Sequence, residues 1–367
     1  MAIVEYLEEP VSVYDLTVDG VHCFFGGGIL AHNCQEVDLP SKPLRDIHDT
    51  AGEIALCTLA AQNWAAYHSA TDPKMRKDAF ILVRLLDNIL TYQDYPVEAA
   101  RLATMNRRPL GVGITNFAFW MATHGFSYDD VSDLCLAKVD AWAAHWSKNL
   151  IDASIALAKE RGACPLVGET KYSQGIVPCD TAKSDVAELV AATSTVDWET
   201  TRANLKATGI RNSTLMACMP CETSALVSNH TNGIEPIRAF VTKKKNKDQV
   251  VPVVAPGIYH PRWKKGYSLL WDIKSPRGYL KIAAVLQRYI DQGISVNTSY
   301  NQEHHSIEGG IPMSILLGDL LFFYKYGGKQ LYYMNTNDGA GEIRFDATTT
   351  PAQQEPTGDA VCDSCAV

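Results

Sequence analysis

Six sets of residues in this 367-residue chain have the types and spacing to do chemistry. His32, Asn33 and Cys34 follow the run Gly28-Ile-Leu-Ala31. The side-chain amide of Asn33 can attack its own carbonyl carbon, form a succinimide and cleave the Asn33–Cys34 bond, with His32 as proton donor or acceptor. Cys34 then carries a free amine beside a strong nucleophile. Glu36 lies two residues on, and in an extended segment it points to the same side as Cys34, so a thiol and a carboxylate face one substrate. Cys57 ends the apolar run from Gly52, which reads as a strand. Pro220, Cys221, Glu222, Thr223 and Ser224 read as a turn opening a helix, where backbone N–H groups and hydroxyls bind phosphate. Tyr332 and Tyr333 are adjacent phenols able to relay a proton and an electron, and Cys362 and Cys365 form a C-x-x-C pair. Taken singly, several have a plainer reading. A cysteine in an apolar strand is usually a buried, inert thiol, and a tyrosine pair usually packs in a core. A C-x-x-C pair can hold zinc, but no second Cys/His pair lies near this one to complete four ligands.

Helices and short strands must position these groups. Asp72 before Pro73 is an N-cap with proline at the first helical position, and Phe80, Val83, Leu86 and Leu90 then recur at helical spacing. A second helix is expected from Asp133 to Glu160, with Val139, Trp142, Trp146 and Leu150 on one face and Gly162 beyond its end. A third spans Tyr279–Gln292 and leads into a strand over Ile294–Asn297; a fourth spans Met313–Tyr326 and leads into Gln330–Met334. Strand–helix–strand order of this kind gives an α/β architecture. Ahead of them, the alternating runs Val11–Val18 and Val21–Phe25 read as strands, with a turn at Gly26-Gly27-Gly28. The basic run from Lys243 to Lys247 reads as a solvated loop, and the polar residues after about Asn337 as a disordered tail.

Composition narrows the function. The net charge of −8 argues against non-specific nucleic-acid binding. No apolar run reaches the ~18 residues of a membrane-spanning helix, and no basic region followed by an apolar stretch marks a signal peptide at the N-terminus. Ten cysteines spread without a compact framework read as reduced thiols of a cytoplasmic protein. No metal site is expected within the chain.

Residues 1–33 resemble the C-terminal piece of a split intein across two blocks, Val13–Phe25 and Gly28–Cys34. Met1, a few residues before the first block, suits the split form. A piece this short cannot bury a core alone, since the usual lower limit is about 40 residues, so the resemblance implies an N-terminal intein half as partner. It further implies that Asn33 cyclises, His32 assists, Cys34 accepts the upstream acyl group, Asp15 helps the upstream thiol and His22 supports the later steps. Cys23 stands where asparagine usually follows that histidine.

Residues 34–367 resemble the C-terminal half of the large (α) subunit of class I ribonucleoside-diphosphate reductase. The likeness runs through Gly52–Cys57, Tyr92–Pro96, Arg107–Phe119, Gly162–Pro165, Trp198–Ser224, Asn232–Pro236, Tyr332–Thr336 and the cysteine tail, in order and at matching spacing. It implies the C-terminal part of a ten-stranded α/β barrel with a finger loop over residues 34–340, and a flexible redox tail over 341–367. Cys34 then stands at the position of the thiyl radical that abstracts the ribose 3′ hydrogen. Glu36 stands at the base that takes the 3′-hydroxyl proton, and Cys57 at one of two thiols that reduce the sugar. Tyr332 and Tyr333 match the radical-transfer pair, Cys362 and Cys365 the tail thiols, and residues 220–224 the diphosphate turn, with Cys221 where serine is common. The resemblance also implies a metal-containing small (β) subunit as radical source, with no cofactor bound in this chain. Thioredoxin or glutaredoxin would be the reductant, and a ribonucleoside diphosphate the substrate. Nucleotide effectors would bind the N-terminal half, and the ligated product would form an α dimer. Three competing readings are a splicing-dead segment that holds two reductase pieces together, a cobalamin-dependent reductase, and a zinc-tailed binding protein. The intact triplet His32-Asn33-Cys34 argues against the first and the tyrosine pair against the second.

Overall fold

The structure, a computed structural model, describes residues 23–26, 29–32, 36–56, 58–190, 196–245, 250–307 and 310–337. Asp15, His22, Asn33, Cys34, Cys57, Cys362 and Cys365 lie outside the described residues, as do the strand read over Val11–Val18 and the tail beyond Asn337; of His32 only the backbone is described. The chain divides into two units, residues 1–33 with 362–367 and residues 34–361. In the first, β1 (Cys23–Gly26) and β2 (Ile29–His32) pair antiparallel, with Gly26 opposite Ile29.

In the second unit, β3 (Leu59–Asn63) is followed by α1 (Pro73–Tyr92), α2 (Glu98–Arg107) and β4 (Gly111–Thr115). Next come α3 (Phe117–His124), α4 (Asp133–Arg161), α5 (Trp198–Thr208) and α6 (Glu222–Ser228). The hairpin of β5 (Val241–Lys245) and β6 (Val250–Val254) leads to α7 (Pro261–Gly266) and α8 (Arg277–Gln287). The described chain closes with β7 (Thr298–Asn301), α9 (Gln302–His305), α10 (Met313–Lys325) and β8 (Met334–Asn337). β3 pairs in parallel with β4, β4 bridges in parallel to Met216, Cys218 to Ile294, and β7 to β8. Five successive segments thus run parallel, with helices on the connections, which is the α/β order read from the sequence.

Local chemistry fixes these elements. Asp72 caps α1 by accepting the Lys74 N–H at 2.8 Å, with Pro73 at the first position. Val83, Leu86 and Leu90 are buried on the face that packs on α4. Ser132 caps α4 through the Cys135 N–H at 3.3 Å, and Gly162 ends it at φ 84°. Trp64 lies at the centre of the core, 5.7 Å from Phe117, 5.8 Å from Trp120 and 5.6 Å from Trp142, in tilted and edge contacts that aromatic quadrupoles favour. A buried polar knot ties the helices together: Asp87 of α1 accepts from Arg108 Nε at 2.6 Å and Asn212 Nδ2 at 3.3 Å, and Arg211 Nε stands 3.3 Å away.

Four expectations are corrected. The run from Gly52 is not a strand: of its described residues 52–56 only Glu53 makes a bridge, antiparallel to Lys42, and regular pairing starts at Leu59. α8 stops at Gln287, five residues before Gln292, because the chain turns there to bring Asp291 onto the next segment. Its carboxylate accepts the Leu215 and Met216 N–H groups, both at 2.8 Å. The strand read over Ile294–Asn297 is held by single bonds to Cys218 and Tyr332, and regular pairing begins at Thr298 and Met334 instead. Residues 241–245 are not a loop but strand β5, where the β-branched run of β6 supplies the pairing partner. Among the described residues no helix is long and apolar enough to cross a membrane.

Candidate active site around Glu36

Glu36 is fully buried although it carries a carboxylate. Its main-chain carbonyl accepts the Gly293 N–H at 2.8 Å, which seats the loop against the strand segment 293–297. Its Oε2 accepts the hydroxyl of Ser295, and its Oε1 is buried with no partner among the described residues. Gly293 has to be small: a Cβ there would meet Gln330 Nε2 at 2.4 Å and the Glu36 carbonyl at 3.2 Å.

Two thiols lie within electrostatic reach of this carboxylate. Burial pushes the Cys221 thiol up to about 12, with the charge of Glu36 adding to the effect, and it pushes Cys218 up for the same reason. Cys218 sits between the parallel partners, its N–H bonded to the Gly293 carbonyl at 3.1 Å and its carbonyl to the Ser295 N–H at 3.0 Å. Cys221 precedes α6 and opens the turn at residues 220–224. Asn232 holds that turn, accepting the Cys221 N–H at 2.5 Å and donating to Glu222 Oε1 at 2.5 Å. The Ser224 hydroxyl donates to the Cys221 carbonyl at 3.3 Å, and Thr223 and Ser224 are exposed.

The strand segment that seats Glu36 also carries the tyrosines. The Tyr332 N–H bonds the Val296 carbonyl at 2.8 Å, and the Tyr333 N–H bonds Asn297 Oδ1 at 3.0 Å. Asn297 in turn donates to Glu235 at 2.6 Å; desolvation raises that carboxyl. The two phenols are 2.9 Å apart, oxygen to oxygen, with ring centroids 3.8 Å apart. That spacing permits proton transfer along the bond and electron transfer between rings.

The structure therefore joins Glu36, Cys218, Tyr332 and Tyr333 through one strand segment, with the 220–224 turn following Cys218 in the chain. Ser295, Gly293, Asn297 and the approach of Cys218 were missed by sequence reasoning. The one signal available was the position of Ser295 and Asn297 inside a run read as a strand. A surface cleft of about 660 Å³, lined among others by Asp129, Lys264, Lys265, Tyr267 and Asp272, shares no residue with this site. Among the described residues no group of three or more His, Cys, Asp or Glu side chains is placed to hold a metal ion.

Comparison with known proteins shows the family. A family model described as "Ribonucleotide reductase, barrel domain" matches residues 26–334. The chain is 44% identical over 315 residues to the ribonucleoside-diphosphate reductase subunit alpha of Haemophilus influenzae, covering 85% of this chain and 40% of that protein. It is 45% identical over 257 residues to subunit alpha of reductase 1 of Escherichia coli, covering 70% and 33%. It is 38% identical over 319 residues to the subunit alpha of Enterobacteria phage T4, covering 87% and 41%. The chain thus spans about a third to two fifths of the length of these curated relatives. With its match over residues 26–334, the chain belongs to the ribonucleotide reductase barrel-domain family.

Proposed function

We propose that this chain supplies the catalytic C-terminal part of a ribonucleoside-diphosphate reductase α subunit. The observation that carries the reading is a buried carboxylate with one oxygen bonded to Ser295 and the other facing no described partner, on the strand that also seats two phenols 2.9 Å apart. A buried carboxylate oxygen without a donor is poised for a substrate hydroxyl. In this reading a metal-containing small subunit delivers the oxidising equivalent to Tyr333, the more exposed phenol, and then to Tyr332 and Cys34. The Cys34 thiyl removes the ribose 3′ hydrogen, and Glu36 takes the 3′-hydroxyl proton as the 2′-hydroxyl leaves as water. Cys57 and a second thiol from the N-terminal part supply two electrons and two protons, one proton leaving with the 2′-hydroxyl as water and the other ending on C2′, and become a disulfide; Glu36 returns its proton to the 3′ oxygen and Cys34 returns the hydrogen to C3′. Cys362 and Cys365 re-reduce the disulfide and are recycled by thioredoxin or glutaredoxin. The turn at Pro220, Cys221, Glu222, Thr223 and Ser224 holds the substrate diphosphate through N–H groups and hydroxyls. The five parallel segments form half of the ten-stranded barrel, and the N-terminal part supplies the rest with the effector sites. The working enzyme is a cytoplasmic α dimer with its small subunit.

Residues 1–33 act first in this proposal. They pair with an N-terminal intein half, Cys34 accepts the upstream acyl group, and Asn33 cyclisation with help from His32 releases the segment; Asp15 and His22 assist. Cys34 thus serves splicing and then radical chemistry.

Glu36→Gln in the assembled reductase tests the catalytic reading, because it keeps the shape and removes the base. Turnover should fall by roughly 10²–10⁴-fold, the usual worth of a general base, and unchanged turnover would overturn it. Intact mass after mixing with the N-terminal precursor tests splicing. A product heavier by the upstream segment and lighter by residues 1–33 is expected, and unchanged masses would refute it.

A further inference from the structure

We infer that Ser295 is a positioning residue that sets the catalytic orientation of Glu36, an inference that rests on the proposed role of Glu36 as the base. Glu36 is held at two points by one strand segment: its carbonyl by the Gly293 N–H at 2.8 Å, and its Oε2 by the Ser295 hydroxyl. Main chain and side chain are thereby fixed to residues two apart, which point to the same side of an extended strand. Ser295 is itself fixed. It is 5% exposed, and its N–H is bonded to the Cys218 carbonyl at 3.0 Å. The bond on Oε2 leaves Oε1 as the carboxylate oxygen without a partner among the described residues.

Chemistry follows from that division. A glutamate side chain has three rotatable torsions, and a carboxylate without a fixed partner samples several of them. The Ser295 hydroxyl selects one, so that the same oxygen meets the substrate hydroxyl in each turnover. Pre-orientation of this kind acts on the reacting geometry, where a misplacement of about 1 Å costs on the order of 10²-fold in rate. It adds little to substrate affinity, because Ser295 bonds the base and not the substrate. The neighbouring thiols do not substitute for it: Cys218 and Cys221 are protonated, weak donors, both pushed up by burial.

The test compares Ser295→Ala and Ser295→Thr in the reductase assembled with its N-terminal part and small subunit. Alanine removes only the hydroxyl and leaves the strand bonds in place. For Ser295→Ala, kcat should fall roughly ten- to hundredfold while KM stays within about twofold, the pattern of an interaction that matters in the transition state. Ser295→Thr keeps the hydroxyl and should recover most of kcat. An unchanged kcat in Ser295→Ala overturns the inference. So does a parallel change in kcat, KM and unfolding temperature without recovery in Ser295→Thr, which marks a packing role. Glu36→Gln separates the two levels. If it is inactive while Ser295→Ala is fully active, the positioning role alone is wrong. If Glu36→Gln is itself fully active, the reading of Glu36 as the base fails as well.

Discussion

Gly113→Ala should damage both stability and turnover although residue 113 is neither exposed nor catalytic. Gly113 lies in the middle of β4, fully paired with Ala61 of β3 and facing the segment that carries Cys218 and Cys221. A Cβ at this position would stand 2.7 Å from Met219 Sδ, 2.9 Å from the Ala217 carbonyl oxygen and 3.4 Å from the Cys218 Cα. The thioether is the end of a flexible side chain and can swing aside. The carbonyl is backbone, and unstrained heavy-atom contacts sit near ~3.5 Å or more, so the 217–219 segment must retreat by about half an ångström. Overpacking of this kind costs typically ~1–3 kcal/mol, read as roughly 1–2 °C of unfolding temperature per kcal/mol in a unit of this size. The displaced segment bonds Gly293 and Ser295 through Cys218, so Glu36 moves with it and turnover should drop about tenfold. Thermal unfolding of the chain and turnover of the assembled reductase measure the two effects. Gly168→Ala is the control, since a Cβ there meets nothing within 4 Å. Wild-type unfolding temperature and turnover in Gly113→Ala would refute the argument that backbone contact at β4 sets the site.

Two further outcomes follow from buried groups. Asp87→Ala leaves the Arg108 guanidinium, 4% exposed, without the carboxylate bonded to it at 2.6 Å; stability should fall by about 3–5 kcal/mol in chemical denaturation, and a loss below about 1 kcal/mol would show that solvent reaches the knot. The second outcome concerns the thiols, which burial raises to about 11 for Cys164 and Cys179 and about 12 for Cys135 and Cys221. The thiolate is the reactive form and its fraction falls as the pKa rises, so iodoacetamide at pH 8 should modify these four at least about a hundredfold more slowly than in unfolded chain, with rates rising as pH increases; mass spectrometry showing equal rates folded and unfolded would contradict their burial.

Much of the scaffold was legible because its signals are local. The Asp72-Pro73 cap, the apolar spacing after it and Gly162 beyond α4 each fix one helix end with neighbouring residues alone. Glu36 and the tyrosine pair were legible as chemistry, since side-chain type and adjacency are local too. The end of α8 was not. Its apolar periodicity runs on past Gln287, and what stops it is the demand of Leu215 and Met216 for the Asp291 carboxylate, groups about 75 residues apart in sequence. The lysine run of β5 failed for a similar reason: charge suggested solvent, but pairing with the valines of β6 decided the backbone.

The strand segment 293–297 shows why the site itself resisted reading. Nothing in Gly-Ile-Ser-Val-Asn marks a reaction centre, and its serine and asparagine would pass for the polar positions of a half-buried strand. Its function comes from what the fold sets against it on both sides. Cys218, Glu36 and the Tyr332–Tyr333 pair belong to three distant parts of the chain, and all of them bond to these five residues: Cys218 to Gly293 and Ser295, Glu36 to Gly293, Tyr332 to Val296 and Tyr333 to Asn297. The tasks fall to successive residues: the Ser295 side chain faces the carboxylate, while the Val296 carbonyl and the Asn297 side chain receive the tyrosine backbone. A slip of one residue would turn Ser295 away from Glu36 and displace the Val296 and Asn297 contacts to the tyrosines with it. The parallel register is therefore a part of the site, as much as the side chains it aligns.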